Sequence, residues 1–348
     1  MGILGRKRYT IRTNRSMKYL QPIPLETLHG FRFIVAPLLT LLIGKVVFEL
    51  LAFNFPDLNQ PLIADFTKIK EIPTAVILNE TKARLLWGTS IIVYFFMFTG
   101  FAAFICRMLR RSPTKSALLL FISISGLISL VEIIYLNLVD AAKSPLVTIF
   151  RFTFDFLVSS GFYSDNELLI IHTILTLINL LAFLVAPFGI MTGCCIMQKR
   201  PISSITDLDY LLCQSKRLKE LLIGSSAVMV IGIVHMHLWL KWPLSLVLDG
   251  AIAKQLEAII LAVSQYWGII YTLTIAALYL PAAKYLCEQT RTMIMAGNDE
   301  DAKKDPDKWL TDAKILVSPT AQLPQLVAVF APMLVGSFGS SLGNLIQV

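Results

Sequence analysis

Residues 168–197 read LLIIHTILTLINLLAFLVAPFGIMTGCCIM, thirty positions without a single Asp, Glu, Lys or Arg. About 20 apolar residues are enough for a helix to cross a hydrocarbon core roughly 30 Å thick. A barrel strand would instead alternate apolar and polar residues over about ten positions, and backbone in lipid must find its hydrogen bonds within its own segment. The run therefore predicts a membrane-crossing helix. Five more runs of the same character flank it, at 31–53, 85–108, 117–138, 221–240 and 252–286. The expected fold class is all-α, a polytopic helical membrane protein with six transmembrane helices, leaving open a seventh span or re-entrant hairpin in the apolar C-terminal segment.

Composition points the same way. Of 348 residues, 55% are hydrophobic and only 16% charged, with a mean hydropathy of +0.68. Soluble globular chains carry about a quarter charged residues, so most soluble enzyme classes are excluded. The formal net charge is +8, which in this context reads as topology rather than nucleic-acid binding, and no nucleic-acid partner is expected.

Lys and Arg beside short loops are retained on the cytoplasmic side. Six lie between Arg6 and Lys18, four between Arg107 and Lys115, five between Lys199 and Lys219, and six between Lys284 and Lys314. The opposite loops carry fewer bases, offset by acids such as Asp57, Glu80 and Asp140. The expectation is a bacterial inner or plasma membrane location with both termini cytoplasmic. About 30 polar and basic residues precede the first run, which is then a retained signal anchor. Trp87, Trp239 and Trp242 fall at outer span ends, where an aromatic belt is favoured. Cys106, Cys194, Cys195, Cys213 and Cys287 all fall toward the inner side, an odd number without repeating spacing, and are read as free thiols.

Outside the spans, residues 1–30 read as a basic cytoplasmic tail, 288–308 as a polar linker and 309–348 as an apolar C-terminal segment of cytoplasmic docking helices. Gly339 and Gly343 have the spacing that lets helices approach closely, while Pro332 breaks the run. In the outer loop 139–167, Phe150, Phe152, Phe154 and Phe156 alternate with polar residues, which predicts an extended or irregular segment. The inner loop 198–220 carries Leu208, Leu211, Leu212 and Leu218 on one stripe and predicts a separate helix docked beneath the bundle.

Ionisable residues inside spans are costly and so become functional candidates. Glu132 and His172 both map about 12 Å or less below the outer surface and could meet. Ser125, Ser129 and Glu132 share one helix face, as do His172, Thr176 and Asn179. Gln265 and Thr272 add a polar stripe on the last span, and Glu49 and Glu257 complete the set of candidate path residues. The competing reading is that such groups merely bridge helices, at about 0.6 kcal/mol each. His235 and His237 point about 200° apart on a helix and cannot share one ion, so no metal or cofactor is expected. The chain has no Walker motif, dinucleotide fingerprint, nucleophile elbow or His-Glu-x-x-His site, which leans against an enzyme.

The function expected from these features is an ion or proton permease or channel, with a polar path between spans three, four and six. Two alternatives stand beside it. One is a non-transporting membrane subunit that recruits a cytoplasmic protein partner through 203–220 and 309–348, or a second copy of itself. The other is a pore-forming membrane effector. The lipid bilayer is the partner common to all three.

Overall fold

The structure is a computed structural model that describes residues 30, 32–51, 63, 72–109, 122–131, 134, 144–197, 206–297, 303–313, 315 and 327–336. Every regular element among these is a helix. In chain order they are α1 (Arg32–Leu51), α2 (Thr74–Leu109), α3 (Ile122–Val131), α4 (Pro145–Ser160), α5 (Asp165–Ile196), α6 (Thr206–Lys241), α7 (Gly250–Ala296), α8 (Pro306–Asp312) and α9 (Val327–Gly336). A 3₁₀ turn, Trp242–Leu246, extends α6. By length and composition α1, α2, α5, α7 and the extended α6 are each able to cross a membrane. The apolar run at 117–138 is described only over α3 and Ile134.

Contacts between helices define the two ends of this bundle. At one end α1 finishes and α2, α5 and α7 begin. There Ser144 donates to Glu49 Oε1 at 2.7 Å, Tyr163 reaches Glu80, and Trp87, Trp239 and Trp242 meet. At the opposite end Gly30 lies against the Cys194 carbonyl, and the Arg32 guanidinium sits 4.6 Å from the Tyr285 ring centre. That end also holds α8, tied to α7 by an Arg291–Asp307 ion pair and by Ile294, Leu310 and Ile315. All five cysteines are free, as read from the sequence.

Helix α6 is the hub, packing against α2 on one side and α7 on the other, with α1 laid on the far face of α7. The buried residues of α2, namely Val76, Glu80, Trp87, Ser90, Tyr94, Phe101 and Ile105, keep to steps of three, four or seven. They form one stripe about 44 Å long at 1.5 Å per residue.

Four expectations need correction. The segment with alternating phenylalanines is not extended: 145–160 is the helix α4. Ser144 caps it by accepting from Val147 N, Pro145 occupies its first turn, and Gly161 ends it at φ 65°. Those are the signals helix termini prefer, and they override the period-two pattern. Phe152 and Phe156, one turn apart, are buried, while Phe150 and Phe154 flank them half-buried. Second, the stretch at 206–220 is no separate docking helix but the first part of α6, with Leu218 buried in the main core. Third, α2 starts eleven residues before the expected span, which moves Glu80 from a loop into a helix. Fourth, the three tryptophans read as an aromatic belt do not stand exposed; they are buried against one another, with ring centres 5.0 to 5.8 Å apart.

The helical reading of α4 separates its phenylalanines into two classes. Phe152→Ala and Phe156→Ala are each expected to lower stability by about 3–5 kcal/mol, and Phe150→Ala and Phe154→Ala by clearly less. Thermal unfolding in detergent reads this, and equal losses at all four positions would indicate an extended segment instead.

Candidate functional site

The first polar cluster of interest sits at the tryptophan end. Glu80 is 1% exposed, an unusual burial for a carboxylate, and two groups share its Oε1. Tyr163 donates its hydroxyl at 2.7 Å, and Arg84 Nε, one turn further along α2, lies 3.3 Å away. Arg84 remains 44% exposed, so the pair is buried on the acid side only. Burial, and then the Glu80 carboxylate beside it, push the Tyr163 phenol well above its ordinary range. Tyr163 also sets its ring edge-on to Trp242 at 6.0 Å, joining the acid to the tryptophan cluster.

Deeper along the bundle two histidines on α6 look in opposite directions, as their spacing requires. His235 turns to α2, where its Nδ1 is 2.9 Å from Ser90 Oγ. His237 turns to α7, where its Nδ1 is 3.1 Å from Ser264 Oγ. Each hydroxyl has one proton, and each already donates it within its own helix: Ser90 to the Trp87 carbonyl at 2.6 Å, Ser264 to the Ile260 carbonyl at 2.8 Å. With each serine proton on its own helix carbonyl, the serines accept from the imidazoles, which makes both rings Nδ1–H donors with Nε2 as the basic nitrogen; a serine that turns its proton to the ring reverses the tautomer. His237 is 5% exposed, and its Nε2 has no hydrogen-bond partner among the described residues.

The α6–α7 seam continues on either side of His237. One turn outward Lys241 Nζ meets Glu257 Oε1 at 2.6 Å, with side chains 24% and 37% exposed. In the other direction α7 presents Gly268 and Thr272, both buried, and here α9 is seated. An added Cβ at Gly268 would stand 2.6 Å from the Pro332 carbonyl oxygen, and one at Gly336 would stand 2.7 Å from the Ser264 carbonyl oxygen. Only glycine permits that approach of two backbones. Gly339 and Gly343, to which sequence spacing assigned this role, lie outside the described residues.

The candidate path residues are scattered by the fold. Glu132 lies outside the described residues. His172 is exposed on α5 with its ring 5.2 Å from that of Phe154, and Thr176 beside it is exposed. Asn179 and Gln265 are half-buried. Ser125 is fully buried with no partner for its hydroxyl among the described residues, and it accepts from Ser129 at its carbonyl at 3.0 Å. Glu49 is engaged by Ser144, and Thr272 accepts from the Met333 amide at 3.1 Å. Glu257 and Thr272, on α7, stand on the same seam as His237. Glu80 was missed because its sequence neighbours, Asn79 and Thr81, read as loop. Among the described residues no group of three His, Cys, Asp or Glu is placed to hold a metal ion. No protein-family model, curated protein or solved structure matches the chain.

Removing the buried phenol bond by Tyr163→Phe leaves Glu80 with one partner and is expected to cost about 1–3 kcal/mol at pH 8. Because the folded protein holds the Tyr163 proton more tightly than the unfolded chain, its contribution is complete below about pH 10 and is lost as pH rises beyond that. Thermal unfolding between pH 8 and 11 should fall more steeply for the wild type than for Tyr163→Phe; parallel curves would remove Tyr163 from that role.

Proposed function

We propose that this chain is a multi-spanning membrane permease or channel for protons or a small ion, with its working seam between α6 and α7. The observation that carries the reading is His237. Its Nε2 is buried with no partner among the described residues, one turn from a partly exposed Lys241–Glu257 pair. A buried ionisable group in a crossing helix is costly to keep and is a functional candidate by default. In this reading Glu257 exchanges protons with the outer solution and His237 relays them inward, while Ser264 holds the ring in orientation.

The topology that goes with this has six crossings, α1, α2, the run at 117–138, α5, α6 and α7, with the tryptophan end outward and residues 1–30 cytoplasmic. The basic residues at the cysteine end support that orientation. The partner-recruiting alternative drew on apolar surface after the last strong span. Part of that surface, Val329 in α9, is covered by the bundle itself.

Proton flux into proteoliposomes tests the proposal. The wild type is expected to exceed empty vesicles, with His237→Gln and Glu257→Gln each lowering the rate at least tenfold and His172→Ala leaving it unchanged. Flux equal to that of empty vesicles, or a His237→Gln rate equal to wild type, would overturn it.

A further inference from the structure

Helix α9 carries a defect in its middle. Pro332 has no amide hydrogen, so the carbonyl four residues earlier, on Ala328, receives no helical donor. An unsatisfied carbonyl in hydrocarbon costs several kcal/mol, and proline-broken helices survive there when neighbouring Ser or Thr side chains take up the freed groups. Both neighbours of α9 do this. Ser226 of α6 donates its hydroxyl to the Ala328 carbonyl, and Thr272 of α7 accepts from the Met333 amide just past the proline. Gly268 gives way to the Pro332 carbonyl between them. Three residues on two helices thus match one break in a third.

The depth and direction of the contact follow from the same residues. Thr272 and Gly268 lie 15 and 11 residues beyond Glu257 and 12 and 16 before Lys284, the charges nearest the two ends of the apolar part of α7. They therefore stand near its middle. Following α9 from Met333 to Gly336, its partners on α7 shift from Thr272 to Ser264, a displacement of about 12 Å toward the tryptophan end. The helix runs antiparallel to α7 and away from the cysteine end, where α8 precedes it. Its buried face is Val329, Pro332 and Gly336; Val327, Phe330, Met333 and Leu334 face outward, apolar and exposed. An aqueous docking helix has no reason to keep that second face apolar.

We infer that α9 is part of a seventh crossing, received by a groove of Ser226, Gly268 and Thr272, and that the chain beyond Gly336 leaves the membrane at the tryptophan end, opposite to residue 30. This replaces the expectation that both termini share the cytoplasmic side. It rests on the membrane reading above, although not on the permease activity. The contact also bears on the seam, because Gly336 rests on the carbonyl of Ser264, the residue that orients His237.

Two measurements on the full chain in native membranes test it. In the first, otherwise wild-type protein carries one epitope ahead of Met1 and another after Val348, and an impermeant protease is added to intact cells. The C-terminal epitope is expected to be cleaved and the N-terminal one protected until permeabilisation. The reverse pattern would uphold the crossing and overturn only the orientation given under Proposed function. Two epitopes on one side would overturn the crossing. In the second, the five native cysteines are replaced by Ser and the pair Ser226→Cys, Ala328→Cys is oxidised. Most of the protein should lose reactivity to a mass-tagged maleimide, whereas Ser226→Cys with Phe330→Cys should keep it. Equal reactivity of the two pairs would show that α9 does not occupy the groove.

Discussion

The bundle depends on α6 being held from both sides at once. In lipid there is no hydrophobic force to press helices together, so packing and interhelical hydrogen bonds must do it. His235 to Ser90 and His237 to Ser264 are two such bonds, two residues apart on α6 and directed to opposite neighbours. Around the first stand Trp87 and Tyr94, with ring centres 6.2 and 6.0 Å from His235. Around the second, Lys241–Glu257 stands on the side of the tryptophan end and α9 on the other. A bond of this kind is worth only about 0.6 kcal/mol in a membrane. Its importance is positional, because it fixes the rotation of α6 and so decides which residues enter each seam.

That rotation explains why polar groups concentrate where they do. Trp87, Ser90 and Tyr94 recur on one face of α2 and meet α6 along one line, at Trp239 and His235, while Glu80 on the same face meets Tyr163. On α7, Glu257, Ser264 and Gly268 are separated by seven and four residues and line the other seam. Charge is partly exposed at the end of each seam, on Arg84 in one and on Lys241 and Glu257 in the other, and neutral donors and acceptors follow inside. This ordering spares the buried interior the cost of an unpaired ion.

Much of the fold was legible because apolar length is a strong signal. Over their described residues five of the six runs are continuous helices, and the opposed directions of His235 and His237 follow from helical geometry alone. Three things were hidden for physical reasons. In α4, phenylalanine at every second position mimics a strand, and only Ser144, Pro145 and Gly161 reveal the helix. Glu80 sits in the polar stretch 79–84, which announces no span, and it is bonded to Tyr163, 83 positions away. The groove for α9 joins Ser226, Gly268 and Thr272 to a proline, an association that no single stretch of sequence displays. His172 and Thr176 share the helix face that their periodicity marks, and that face of α5 is exposed.

The most direct test of the α6 arrangement is the ¹⁵N spectrum of ring-labelled histidine in lipid bilayers at pH 8, assigned by single replacement of each histidine. His235 and His237 are both expected to show a protonated Nδ1 and an unprotonated Nε2, the arrangement in which each serine gives its own proton to a backbone carbonyl and accepts from the ring. A protonated Nε2 with a bare Nδ1 at either ring would contradict the two-sided hold on α6.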